Sequence, residues 1–283
     1  MDNSHNLNPD IIEGIVFDLD GTLYEDEKHF DYYAKCLAGK LPQEKGEAFF
    51  CDLKAARRGD HPLRLGRVYD VKNDYILDIN EKGEVLRARD WQGNMLSDEA
   101  REKIYSKPVT CDLKEMIFVG DGWWIPAACA YHYGLEDTTE CYRKTKDWLA
   151  DNQEEVLSQI PGLKSFLKQI KHEYTLILAT NSEAHDTERL LEILELTGVF
   201  QEKYTDCRKP EKSRQIFKHI MSKYDHGPKE LLSIGDNFLN DIAPAERLGY
   251  QTLLIDPHQI YDDPGVPRVS SLREIYPLFD YDA

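Results

Sequence analysis

The sequence predicts an α/β protein, a doubly wound parallel sheet with a mixed α/β cap domain inserted after the first strand. Three observations predict it. Short apolar runs alternate with helical patterns in the outer parts of the chain, as strands and helices of an open parallel sheet do. The stretch from about Tyr24 to Leu157 breaks that rhythm. Groups of acidic, hydroxyl and basic residues stand where the apolar runs end, the position at which open α/β sheets bind ligands.

The first run, Ile11–Asp18, is short, apolar and closed by acids and Gly21, consistent with a buried strand and a tight turn. Tyr174–Thr180, Leu231–Gly235 and Gln251–Asp256 are runs of the same kind. Thr187–Leu196 and Glu211–Tyr224 read as helices between them, the second preceded by Pro210 at a first turn. In the interrupting segment Arg67–Ile79 and Glu84–Trp91 read as strands, joined by a hairpin turn at 80–83. Met116–Gly120 is a further apolar run, and Thr138–Gln159 a helical stretch leading back to Pro161. The expected division is therefore a core of residues 1–24 and 158–283, with a cap of residues 25–157 that governs substrate specificity.

With 283 residues the chain has room for one large or two modest domains. Its 35 basic and 52 acidic residues leave a formal charge of −17, which argues against tracking a nucleic-acid polymer. It leaves room for a small anionic substrate, because a metal and one or two cations invert charge locally. No apolar run has the length of a membrane span, and the first ten residues are polar. Six scattered cysteines without a CxxC pair read as reduced, mostly buried thiols. The expectation is a cytoplasmic protein with no membrane partner.

Asp18 and Asp20 stand two residues apart at a strand end, where the Gly21 turn can curl both toward one site. Phosphoryl transfer uses such a pair: one carboxylate attacks phosphorus, the other protonates the leaving oxygen and then activates water. Two acids and a phosphate crowded together need a cation. Thr180 closes a strand, so its hydroxyl and the amides of Asn181 and Ser182 are placed to hold phosphate oxygens. Lys209 is placed to neutralise the nucleophile and the transferring group. The carboxylates Asp236 and Asp241 suit an oxygen-liganded Mg²⁺. Taken singly, Thr180 also reads as a cap and Lys209-Pro210 as a solvated start of a helix. Gly120-Asp121-Gly122 imitates the last group, but Pro126 stands where Asp241 would correspond, so Asp121 reads as a loop residue.

The four stretches FDLDGTL, LATNS, KP and GDNFLND resemble the four motifs of the haloacid dehalogenase superfamily. That resemblance implies a Rossmann-like core with Asp18 as nucleophile and Asp20 as general acid and base. It implies Thr180 and Lys209 on phosphate, and Mg²⁺ on Asp18, the Asp20 carbonyl and Asp236 with Asp241 in support. The second acid, Asp20, favours phosphate over carbon–halogen chemistry.

The cap resembles a narrower group, the cytosolic purine 5'-nucleotidases. The resemblance is carried by the stretch from His61 to Trp91, by Gly122-Trp123-Trp-Ile-Pro126, and by Arg143-Lys-Thr-Lys-Asp147-Trp148. Arg143 and Asp147, four apart on one helical face, offer a donor fork and a carboxylate to a purine edge. Trp123 offers a stacking surface. The same residues also read as an exposed helical ion pair and a cap-core tryptophan. Ala150, where that group carries histidine, and Gly21, where it carries a bulkier residue, depart from the pattern. The expected activity is hydrolysis of a nucleoside monophosphate through an aspartyl-phosphate, with transfer to a nucleoside hydroxyl open to the same intermediate. The alternatives are a phosphatase for a sugar phosphate or another small metabolite, and a non-catalytic binding or regulatory protein.

Overall fold

The computed structural model of the protein describes residues 7–25, 28–80, 82–112, 114–157, 159–257, 261 and 265–281, the side chains of 153–156 excepted. Two compact units divide the chain: Met1–Asp26 with Gln153–Gln259 and Asp263–Ala283, and Glu27–Asn152 with Ile260–Asp262.

The first unit is built on six parallel strands: β1 (Gly14–Phe17), β6 (Thr175–Ala179), β7 (Glu202–Tyr204), β8 (Leu231–Gly235), β9 (Gln251–Ile255) and β10 (Arg268–Val269), with β2–β5 in the other unit. Their spatial order is β10-β9-β8-β1-β6-β7. The chain runs outward from β1 through β6 and β7, then crosses back to β8 on the other side of β1. Order thus reverses between β1 and β8, and the crevice at their carboxyl ends is where such sheets take ligands.

β1 and β8 are buried along their whole length, as strands covered on both faces are. Alternate residues feed two cores. Ile15, Phe17, Leu176, Leu178, Leu232 and Ile234 join α6 (Leu163–Ile170) and α7 (Ala184–Ile193) on one face. Val16, Ile177 and Ala179 join α8 (Ser213–Tyr224) and α9 (Ala243–Glu246) on the other. This is the doubly wound arrangement the sequence predicts, with shorter elements. Ile11–Asp18 gives a strand only from Gly14, because Pro9–Ile11 winds into a 3-10 turn. The helix expected at 187–196 begins at Ala184 and ends at Ile193, with Glu195 in left-handed backbone beyond it.

The second unit carries an antiparallel sheet of β2 (Val68–Asp70), β3 (Tyr75–Ile79), β4 (Val85–Arg89) and β5 (Met116–Phe118), ordered β4-β3-β2-β5. Its helices are α1 (Lys28–Ala38), α2 (Gln43–Arg57), α3 (Asp98–Ile104), α4 (Trp124–His132) and α5 (Thr139–Val156). The single strand expected over Arg67–Ile79 is two. Asp70 caps the break, its Oδ1 accepting from the amides of Lys72 and Asn73, and Asp74 turns the chain with φ +56°. The hairpin at Asn80 is present, and Gly83 closes it with φ +79°. Helix α4 packs on α1 and α2. Asp121 lies in the turn before α4, accepting from the Trp123 amide at 2.9 Å. All six cysteines are free thiols, with Cys129, Cys141 and Cys207 buried and Cys51 exposed. No helix among the described residues is long and apolar enough to cross a membrane.

Candidate active site

Asp18 is the first residue beyond β1, and its amide still donates to the Ile234 carbonyl of β8 at 2.9 Å. The nucleophile candidate is thus fixed at the point where strand order reverses. The chain then turns tightly, with the amides of Thr22 and Leu23 returning to the Leu19 carbonyl. Gly21 is required here twice over. Its φ is +72°, and a Cβ would stand 2.4 Å from Oδ2 of Asp236. The bare turn lets the loop after β8 approach the loop after β1.

Lys209 supplies the charge at the centre. Its ammonium donates to Asp18 Oδ1 at 2.7 Å, Asp241 Oδ1 at 2.6 Å and the Ala179 carbonyl at 2.7 Å. Three N–H groups meet three acceptors, so the ammonium is saturated and its direction fixed. Asn181 holds the lysine backbone from both sides, accepting from its amide at 2.7 Å and donating to its carbonyl at 3.0 Å. Backbone bonds from Asp206 to Ser182 and from Cys207 to Thr180 join the loops that follow β6 and β7.

Asp241 sits in a short π-helical turn, Phe238–Ile242, which the Asn237 side chain caps by accepting from the Asn240 amide. Ser233 donates to the Asp241 carbonyl at 2.8 Å and Ser213 to the Asn240 carbonyl at 2.6 Å, tying this turn to β8 and α8. A Cβ on Gly235 would meet the Asp241 side chain at 2.5 Å, so glycine is what lets that carboxylate fold back over the strand end.

Burial dominates the electrostatics. It pushes the Asp18 carboxyl up to about 7, against the attraction of Lys209 and with help from Asp241 and Asp20. Asp241 is raised chiefly by burial as well, with Lys209 opposing. Lys209 is held protonated, its two carboxylate partners outweighing the burial that would discharge it. One ammonium does not balance four acids, Asp18, Asp20, Asp236 and Asp241.

A divalent cation fits this surplus. Asp18, Asp236 and Asp241 each present an oxygen, all within 4.8 Å of one another. Oδ2 of Asp241 is buried with no hydrogen-bond partner among the described residues. An all-oxygen, anionic donor set of this kind suits Mg²⁺. The Asp20 side chain is outside that trio: it accepts from Tyr24 and Ser182.

Seven of the residues singled out in the sequence, Asp18, Asp20, Thr180, Asn181, Lys209, Asp236 and Asp241, lie in the first unit at the carboxyl ends of its strands. Thr180 is fully buried, and its hydroxyl oxygen accepts from the Ser182 amide at 3.0 Å. That amide, expected to hold phosphate, is taken up in a local Thr turn, and the Asn181 side chain is committed to Lys209. In the second unit Arg143 and Asp147 share a face of α5, are exposed, and make no ion pair among the described residues. Trp123 is half-buried in an aromatic cluster with His29, Phe30, Tyr33 and Tyr142 at ring distances of 4.8–5.4 Å. Sequence reasoning missed Tyr24 as a partner of Asp20, although it stands one helical turn further on.

The fold is that of a doubly wound α/β protein whose clustered acids lie at a topological switch point. The chain belongs to the haloacid dehalogenase-like hydrolases, whose family model matches residues 12–249. Solved structures agree in fold. YfnB from Bacillus subtilis, solved bound to magnesium, is 14% identical over 95% of this chain and 99% of its own, with a TM-score of 0.51. The haloacid dehalogenase-like family protein SP0104 from Streptococcus pneumoniae is 13% identical over 95% and 99%, with a TM-score of 0.50. Among curated proteins no sequence match is found.

Two outcomes are expected. Gly21→Ala places a methyl against Asp236, so Mg²⁺ affinity by calorimetry falls about tenfold or more while the chain still melts cooperatively; unchanged affinity contradicts the geometry. Because the Asp18 carboxyl holds its proton below about 7 in the metal-free protein, Mg²⁺ must displace it there. Affinity therefore weakens as pH falls through about 7, with release of up to about one proton, measured in two buffers of different ionisation enthalpy. Affinity that is flat between about pH 6 and 8 contradicts this.

Proposed function

We propose that the protein is a Mg²⁺-dependent phosphoric monoester hydrolase acting through a phosphoaspartate on Asp18, with a nucleoside monophosphate as its substrate. The observation that carries the reading is the buried Asp18 carboxylate, aimed by Lys209 at the sheet's switch point with a second acid two residues on. Asp18, Asp236 and Asp241, with the Asp20 carbonyl, would hold the metal. Bound there, the ion draws off charge from the phosphoryl oxygens and keeps Asp18 ionised.

The remaining steps belong to this chain's own residues. Lys209 neutralises charge on Asp18 and the phosphoryl group, and the Thr180 hydroxyl donates to a phosphoryl oxygen, as an Asp18 oxygen attacks phosphorus. The ester P–O bond breaks, and the departing oxygen takes a proton from Asp20, leaving an alcohol, a phosphoaspartate and an Asp20 carboxylate. Asp20 then takes a proton from water as that water attacks phosphorus and the bond to Asp18 breaks. Phosphate leaves, and Asp20 is protonated again.

Arg143 and Asp147 support the nucleotide assignment. An exposed guanidinium and carboxylate on one helical face, neither ion-paired among the described residues, match a purine edge, which carries acceptors and an N–H. Their lack of an ion pair with each other removes the plain account of the spacing. The half-buried Trp123 ring is the residue we assign to stacking on the base.

The test is phosphate release with Mg²⁺ over purine and pyrimidine monophosphates and several sugar phosphates, with Asp18→Asn as blank. Purine monophosphates are expected to be preferred, and Arg143→Ala to raise their KM about tenfold or more relative to an aryl phosphate. Activity confined to sugar phosphates removes the nucleotide assignment and keeps the hydrolase.

A further inference from the structure

Asp20 is held from two sides. The Tyr24 hydroxyl donates to its Oδ1 at 2.5 Å and the Ser182 hydroxyl to its Oδ2 at 2.8 Å. The two donors come from different parts of the fold. Tyr24 is 1% exposed in the core beside Leu19 and Leu23, and its backbone bridges Gln159 where the chain returns to the first unit. Ser182 follows Thr180 and Asn181 on the loop beyond β6, the loop that clamps Lys209.

We propose that Tyr24 and Ser182 are positioning residues for the proton-transfer step, holding the Asp20 carboxyl in one orientation beside Asp18 through both halves of the reaction. The inference rests on the hydrolase reading above and extends it to Tyr24, one residue beyond the first motif, and to the side chain of Ser182, the last residue of the second. The choice of partner chemistry supports it. Asp20 must alternate between a protonated acid and a carboxylate. A lysine or arginine would favour only the anion. A hydroxyl donates to a carboxylate and, by rotating its hydrogen, accepts from a carboxylic acid without moving a heavy atom. Two such groups let Asp20 change protonation state in place. Proton transfer needs the acid within about 2.6–3.2 Å of the leaving oxygen, so an Asp20 released from either anchor loses much of that geometry.

Leaving-group dependence separates positioning from general structural support. An aryl phosphate such as p-nitrophenyl phosphate departs as a stable phenolate and needs little protonation, whereas an alkyl phosphate needs the acid. The experiment compares kcat/KM for both esters with Mg²⁺ in wild type, Tyr24→Phe, Ser182→Ala and Asp20→Asn. Tyr24→Phe is expected to lose about tenfold more on the alkyl than on the aryl ester, and Ser182→Ala to lose less in the same sense. Asp20→Asn sets the upper limit of that difference. Equal losses on both esters, or none on either, overturn the assignment. If Tyr24→Phe fails to fold, the half-buried Ser182 carries the same test. A wild type no faster than Asp18→Asn on either ester overturns the hydrolase reading, and this inference with it.

Discussion

The saturated ammonium of Lys209 is the interaction on which the site depends. Asp18 and Asp241 are buried at strand ends, where an uncompensated carboxylate would be costly. Lys209 is itself buried, so the cluster is stable only when all its members are present. Removing one partner of such a group typically costs about 3–5 kcal/mol, because the charge left behind has no water to turn to. The same arrangement leaves a net negative site. Burial, with that surplus in support, pushes the Asp18 carboxyl up to about 7, and the surplus asks for one more cation.

The sheet supplies the positions. Parallel strands β1 and β8 end side by side, and Asp18 and Asp236 follow them directly. Two glycines then set how closely the loops approach. Gly21 admits Asp236, and Gly235 admits Asp241. A methyl group at either place would push the facing carboxylate away. The hydroxyls of Ser233 and Ser213 fasten the Asp241 turn, and Asn181 fastens Lys209. Much of the polar chemistry near the site thus holds other polar groups in place.

The core was legible in the sequence because its strands are short, apolar and closed by residues of unusual chemistry. Asp18 and Asp241 lie far apart in the chain, yet each follows such a run, and the fold class determines that run ends converge; Lys209 follows the short polar strand β7, which no apolar run marks. Where local chemistry overrode pattern, the reading was less sharp. Arg67–Ile79 looks continuous, but Asp70 offers its carboxylate to two amides and Asp74 adopts left-handed backbone, so the strand breaks. The partners of Asp20 were not legible: Tyr24 marks only where the strand–helix rhythm breaks, and Ser182 is expected to offer its amide to phosphate rather than its hydroxyl to Asp20. Their roles depend on where two loops meet in space. Trp123, read as a stacking surface, has four aromatic neighbours drawn from α1 and α5.

The central claim is that Asp18 carries the phosphoryl group. The most direct measurement is to quench the enzyme during turnover of a phosphate monoester with Mg²⁺, reduce the acyl phosphate with borohydride, and locate the modified residue by peptide mass spectrometry. The account predicts reduction at Asp18, dependent on substrate and metal and absent from Asp18→Asn. Steady turnover with no modification at Asp18, or with modification at another residue, would contradict it.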